Sequence, residues 1–154
     1  MIYVGPSPVT TGPTFMTDIS YESTKTWNNG STDYEDISTL SASDGLHNTI
    51  HLADQLGITS DAPYEAAMYC HQLEAHGYSD WFLPARDEIN MIWNEGEPLG
   101  DIDQEGLRYW SSTQSALGRA WRQRFNDGQL SGSYGQSLKY NAHGVRCMRR
   151  ESSF

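Results

Sequence analysis

The chain has 154 residues, a formal net charge of −10 and 37% hydrophobic residues. Leu, Ile, Val and Phe together number 26, about 17%, which beside that charge would ordinarily mark a disordered chain, for which the threshold is about 20%. Five Trp, nine Tyr and four Phe exclude that reading, because each aromatic buries roughly 150–250 Å² and together they can build one core in a chain of this length.

No run approaches the ~18 apolar residues of a membrane span, so no membrane insertion is expected, and Met1–Thr11 has neither the basic nor the apolar region of a signal peptide. The two cysteines, Cys70 and Cys147, form no Cys-x-x-Cys pair and allow at most one bridge. Charge is unevenly placed. Residues 1–85 hold eleven acids against Lys25, whereas residues 107–154 hold eight bases against two acids. A net-acidic chain is repelled by phosphate backbones, so a nucleic-acid partner is not expected. Arg119, Arg122 and Arg124 are read either as a local anion-recognition patch or as cations stacked on neighbouring Trp and Tyr.

Residues 1–14 carry three prolines and two glycines without a period, and predict an extended arm. Residues 15–43 are rich in Ser, Thr, Asn and Asp. Phe15-Met16 and Asp18 to Tyr21 read there as short strands among turns such as Asn29-Gly30. Residues 1–43 are therefore expected to form an attachment segment, and residues 44–154 the folded domain. Apolar residues at 46, 50 and 53, and at 52 and 56, predict a short helix that ends at Gly57. Asp61 as cap, Pro63 in the first turn, Ala66, Cys70 and Leu73 on one face, and Gly77 as stop predict a second helix.

Gly77 to Pro84 leads to a third helix with Asp87 and Glu88 in its first turn and Ile89, Ile92 and Trp93 on its inner stripe. Alternation over Tyr109 to Ser112, Ala120 to Phe125 and Gly144 to Arg149 predicts strands. Helices followed by strands argue for an α+β domain.

A set of motifs then stands out: Asp44-Gly45 with Asn48-Thr49, the Ala66-Ala67 to Cys70 helix, Gly77 through Pro84 with Asp87-Glu88, Tyr109 to Thr113, Ala120-Trp121, Phe125 to Gly128, and Val145 to Arg149. Together they resemble the C-type-lectin-like domain at the C-terminus of Lcl-type collagen-like adhesins and of many phage and bacterial surface proteins. The resemblance implies two or three helices on a twisted antiparallel sheet with long loops, and a last strand that brings Cys147 near Cys70. A bridge enclosing that loop would contribute about 4 kcal/mol on loop entropy alone; the alternative is two buried thiols. Trp81, Pro84, Trp110 and Phe125 join the cysteines as the structural set.

The variable proteins of diversity-generating retroelements share this broad fold, and residues 114–143 resemble their plan of a fixed framework with interspersed small, Tyr, Arg and His side chains. The ligand-binding candidates are Ser115, Arg119, Trp121, Arg122, Arg124, Ser133, Tyr134, Ser137, Tyr140, Asn141 and His143; the other reading makes them ordinary polar loop residues. The Glu-Pro-Asn, Gln-Pro-Asp and Trp-Asn-Asp triplets of calcium-dependent lectins are absent. Asp101, Asp103 and Glu105 offer oxygen ligands for calcium but read better as a solvated acidic turn. His47 and His51 lack a third metal ligand, and no phosphate-binding loop, dinucleotide fingerprint or Gly-x-Ser-x-Gly occurs. The expectation is a non-enzymatic module without cofactor. It would sit on a phage virion assembled in the host cytoplasm, form a homo-oligomer (a trimer by analogy), contact other virion proteins through its arm and bind a host-surface protein or glycan. The alternatives are a purely structural decoration protein and a bacterial surface adhesin domain.

Overall fold

The computed structural model describes residues 1–37, 40–94, 107–125, 127–128, 130 and 135–151. In chain order the elements are β1 (Ile2–Pro6), β2 (Pro13–Met16), β3 (Ser23–Thr26), α1 (Gly45–Ala53), α2 (Glu65–Gln72), α3 (Arg86–Asn94), β4 (Arg108–Ala116), β5 (Arg119–Arg124), β6 (Gln136–Leu138), β7 (Ala142–Val145) and β8 (Met148–Arg150). They form an α+β architecture with a small sheet ordered β1-β2-β8 and a larger sheet ordered β3-β7-β4-β5-β6.

The first 43 residues are not an arm: β2 pairs with β8 through Thr14↔Arg150 and Met16↔Met148, and β3 pairs with β7 from Ser23↔Val145 to Thr26↔Ala142. Val4, Met16 and Trp27 are core residues, so apolar burial as well as hydrogen bonding holds this segment in place. Asp18 to Tyr21 is no strand. Asp18 accepts a hydrogen bond from the Ser20 amide at 3.0 Å and caps one 3₁₀ turn. The larger sheet is not wholly antiparallel either, since β4 and β7 meet in parallel at Tyr109↔Gly144.

The stretch predicted as one final strand divides at Arg146-Cys147, where the chain passes from the large sheet to the small one. Arg146 is buried at the crossing, its guanidinium donating to Thr17 O and pairing with Glu22, while Thr17 N donates to Cys147 O. Cys147 is bonded to Cys70 of α2, with Cα atoms 5.5 Å apart, so the bridge ties a helix to the junction of both sheets.

Two apolar clusters fill the interior. Trp27, Tyr64, Trp81, Trp110, Leu52, Cys70 and Cys147 belong to one, and Val4, Met16, Phe82, Ile89, Ile92, Tyr109, Phe125 and Met148 to the other. Each buried indole N–H finds a carbonyl, as an amphipathic ring in a core requires. Trp27 donates to Ser111 O at 2.9 Å, Trp110 to Lys25 O at 3.0 Å, and Trp81 to both Ala75 O and Tyr78 O. The first two bonds run in opposite senses between the β3 segment and β4, which stitches the N-terminal part to the sheet.

Candidate functional site

The motif around Asp44 builds the support of the site. Asp44 caps α1 by accepting from the His47 amide at 3.1 Å and also accepts from the Arg150 guanidinium at 2.6 Å. Buried Glu88 of α3 accepts through Oε1 from Gly45 N at 2.7 Å and Ala85 N at 3.0 Å. Burial pushes the Glu88 carboxyl up to about 7 even against those two donors. A Cβ on Gly45 would lie 2.5 Å from Leu83 O and 2.6 Å from Glu88 Oε1, so only glycine fits between them. Asn48 donates to Ser41 O at 2.7 Å and to Ser112 Oγ at 3.1 Å, while Thr49 Oγ1 accepts from Leu83 N at 3.0 Å. The Asp-Gly-x-x-Asn-Thr sequence thus joins α1 to α3, β4 and the Trp81–Pro84 segment. Asp80 holds Arg149 through two bonds of 2.8 and 3.0 Å, and that guanidinium lies 3.6 Å from the centre of the Tyr78 ring.

The ligand candidates from the sequence lie on β4 to β7 of the large sheet and in the turns between them, and most of the described ones turn inward. Asn141 donates to Ser137 Oγ at 3.1 Å; Ser137 Oγ lies 2.8 Å from His143 Nε2, and the Arg122 guanidinium lies 2.9 Å from the same nitrogen. A guanidinium can only donate, so Nε2 accepts and the imidazole is neutral. Burial, reinforced by Arg122 and Arg108, holds the His143 pKa down at about 4. A base this weak, its lone pair already facing a guanidinium, cannot take the Ser137 proton near neutral pH. Burial and then the positive charges of Arg108, Arg124 and Arg119 lower Arg122 itself to about 10.

Trp121 is half-buried beneath the Arg86 guanidinium, 4.5 Å from its ring centre, and Arg124 pairs with Asp127. Ser115 Oγ is buried with no hydrogen-bond partner. Arg119 and Tyr140 are exposed, as is Leu117 in the β4–β5 turn. Ser133 and Tyr134, and the calcium candidates Asp101, Asp103 and Glu105, lie outside the described residues. The structural candidates Cys70, Cys147, Trp81, Pro84, Trp110 and Phe125 are all buried. His47 and His51 stack on α1 with ring centres 6.2 Å apart, and no group of three metal-ligating side chains occurs among the described residues.

Sequence reasoning missed the supports beneath this face. Buried Lys139 donates to Gln114 Oε1 at 2.7 Å and lies 4.8 Å from the Trp27 ring centre, while Gln114 donates to Asp36 and accepts from Ile37 N. Burial lowers Lys139 to about 8, which still leaves it largely charged at neutral pH. Tyr34 lies so close to Gly118 that a Cβ there would meet its ring at 2.7 Å. The only local clue was that Lys139 is the sole lysine after Lys25.

The Lcl C-terminal domain family matches residues 16–149, most of the chain. The chain belongs to that family. The match starts within the segment expected to be an arm, in agreement with the strands found there. Among solved structures, this Lcl C-terminal domain is similar to a fimbrial protein from Bacteroides ovatus ATCC 8483, with a TM-score of 0.55 and 14% identity over 92% of the chain, which shows a shared fold. The chain spans 36% of that protein's length. No curated protein matches it.

Proposed function

We propose that this Lcl C-terminal domain is a non-enzymatic, adhesin-like recognition module with a C-type-lectin-like fold. The exposed Arg119, Tyr140 and Leu117, together with the loops between residues 114 and 143, engage a host-surface protein or glycan. The carrying observation is the division of labour among the side chains of β5 to β7 and their turns. Arg122, Ser137, Asn141 and His143 satisfy one another in a half-buried network, while Arg119, Leu117 and Tyr140 project outward above it. Tyr and Arg supply large contacts at low entropic loss, which suits a binding surface. The suppressed basicity of His143 supports a binding role over catalysis, and no cofactor is invoked. Display on a phage virion as a trimer, with residues 114–143 diversified, is the finer form of this proposal; weak single-site contacts would then add through avidity. Likeness to a fimbrial protein favours the second form, a domain of a bacterial surface adhesin.

The test is binding of the fluorescently labelled domain to a panel of bacterial and host cells. Wild type should bind at least one cell type, and the double variant Arg119→Ala/Tyr140→Ala should lose at least about tenfold in affinity, the size expected when two contact residues of a recognition centre are truncated. Unchanged binding by the folded double variant would move the ligand face elsewhere.

A further inference from the structure

A second site lies at the other end of β3 and β7. Tyr21 precedes β3, and β3 runs from Ser23↔Val145 to Thr26↔Ala142, so the groove beside Tyr21 is a strand's length from the Tyr140–His143 loop. Tyr21 and residues 74–79 line this groove of about 510 Å³, a volume within the range of roughly 300–1,000 Å³ usual for small-ligand sites.

Its wall is a tight two-residue turn. Ala75 and Tyr78 exchange backbone hydrogen bonds of 3.0 and 2.9 Å, and His76 and Gly77 between them have φ of 55° and 82°. Positive φ at both central positions is the geometry of a hairpin turn that favours Asn-Gly or Gly-Gly, and histidine is among the few other residues that adopt it. The Trp81 indole pins the turn from below by donating to Ala75 O and Tyr78 O. The turn presents the His76 imidazole to two aromatic rings. The imidazole meets the Tyr21 ring edge-on at 5.1 Å and tilts against Trp81 at 6.0 Å.

The groove's own lining carries one carboxylate, Glu74, and no Lys or Arg, while the Met1 amino group and the Arg149 guanidinium stand beside it. Glu74 is exposed at the rim, and no hydrogen bond or ion pair engages its carboxylate among the described residues. Asp18 lies 3.7 Å from His76 Nε2, and His76 Nδ1 lies 3.5 Å from the Met1 amino nitrogen. Arg149 is held by Asp80 and Glu151 and stacks on Tyr78. A tyrosine ring beside a carboxylate, with no Lys or Arg in the lining, supplies the components that attract an organic cation.

We propose that this groove binds an alkylammonium group, with the Tyr21 ring against its hydrocarbon and charged head and Glu74 as counter-ion. The source is either a free amine or a lysine side chain of a partner. This inference does not depend on the loop face, and its failure would leave that reading untouched.

The experiment is a titration of the whole chain, followed by nuclear magnetic resonance at constant ionic strength, with n-butylammonium, Nα-acetyl-lysine amide, n-butanol and butyrate. Both ammonium probes should give saturable shifts confined to Tyr21, residues 74–79 and the Trp81 indole at roughly 1–10 mM, the weak range of a small ligand held by few contacts. Tighter binding of the lysine amide identifies a partner's side chain as the source, and equal binding identifies a free amine. Glu74→Gln, an exposed substitution that leaves the rest of the spectrum in place, should weaken the ammonium probes about threefold to fivefold. Absence of saturable shifts, equal shifts with butanol, or wild-type affinity in Glu74→Gln would each overturn the proposal.

Discussion

Two regions of this domain solve the same problem, a polar interior, in different ways. Around Asp44, Gly45 and Glu88, side chains bond to backbone: Glu88 to Gly45 N and Ala85 N, Asn48 to Ser41 O, Thr49 to Leu83 N. Around His143, side chains bond to side chains: Asn141 to Ser137, and Ser137 and Arg122 to His143. Backbone partners fix where the chain runs and tolerate few substitutions, as Gly45 illustrates. Side-chain partners fix only one another. The residues above them, Leu117, Arg119 and Tyr140, are then free to differ without disturbing the fold.

The largest expected effect comes from breaking the disulfide that ties α2 to the junction of the sheets. Replacing Cys70 and Cys147 together by Ala should destabilise the domain by about 4 kcal/mol on loop entropy, read by chemical denaturation; a loss under about 1 kcal/mol would mean the bridge adds little to the packing around it. Gly45→Ala comes next, at about 1–3 kcal/mol, because its Cβ meets backbone atoms of Leu83 and Ala85 that cannot swing away.

Proton linkage separates the two regions more sharply, since they respond to pH in opposite directions. Glu88 is raised from 4.5 to about 7, so the folded state holds its proton longer than the unfolded chain does; its stabilisation is full below pH 4.5 and is lost as pH rises to 7, on the order of 2–3 kcal/mol. His143 is lowered from 6.5 to about 4, so its stabilisation is present above pH 6.5 and is lost as pH falls to 4, on the order of 1–2 kcal/mol after solvent screening. Between pH 4.5 and 6.5 the two contributions offset. Glu88→Gln should therefore expose a stability that falls on acidification, and His143→Gln one that falls as pH rises. Denaturant midpoints that keep the wild-type pH profile in both variants would contradict these assignments.

The helices were legible because their signals are local. The first helix opens at Asp44-Gly45, and Ala66 and Cys70 mark an inner face, both as found, but α1 stops at Ala53 short of Gly57 and α2 at Gln72 short of Gly77. The predicted cap of α2 was not found. Asp61 instead accepts from the Tyr64 hydroxyl at 2.6 Å, and the helix starts at Glu65 after Tyr64, which provides no side-chain cap. The small sheet was illegible for a different reason: Thr14 finds its partner at Arg150, and no periodicity within Pro- and Gly-rich residues 1–14 encodes a pairing across the whole chain. Glu88 read as a first-turn acid facing the helix dipole, whereas its carboxylate reaches the start of another helix. At the candidate site, residue types nominated the right stretch of chain. Which of them face out is decided by Ser137, Asn141 and Arg122 meeting at His143, a convergence of three segments that one strand's pattern cannot show.

The smallest stability change is expected where the recognition proposal needs the most. Arg119→Ala and Tyr140→Ala should each stay within about 0.5 kcal/mol of wild type, as surface substitutions away from buried networks do. The most direct test of the account replaces Leu117, Arg119 and Tyr140 simultaneously with several unrelated triplets and follows unfolding by denaturant. A rigid framework that carries a permissive outer face predicts midpoints equivalent to within about 1 kcal/mol for every triplet, while the cells bound change. Losses of about 3 kcal/mol or more, comparable to emptying a buried position, would show that these three side chains hold the fold together and that the division between framework and face does not exist.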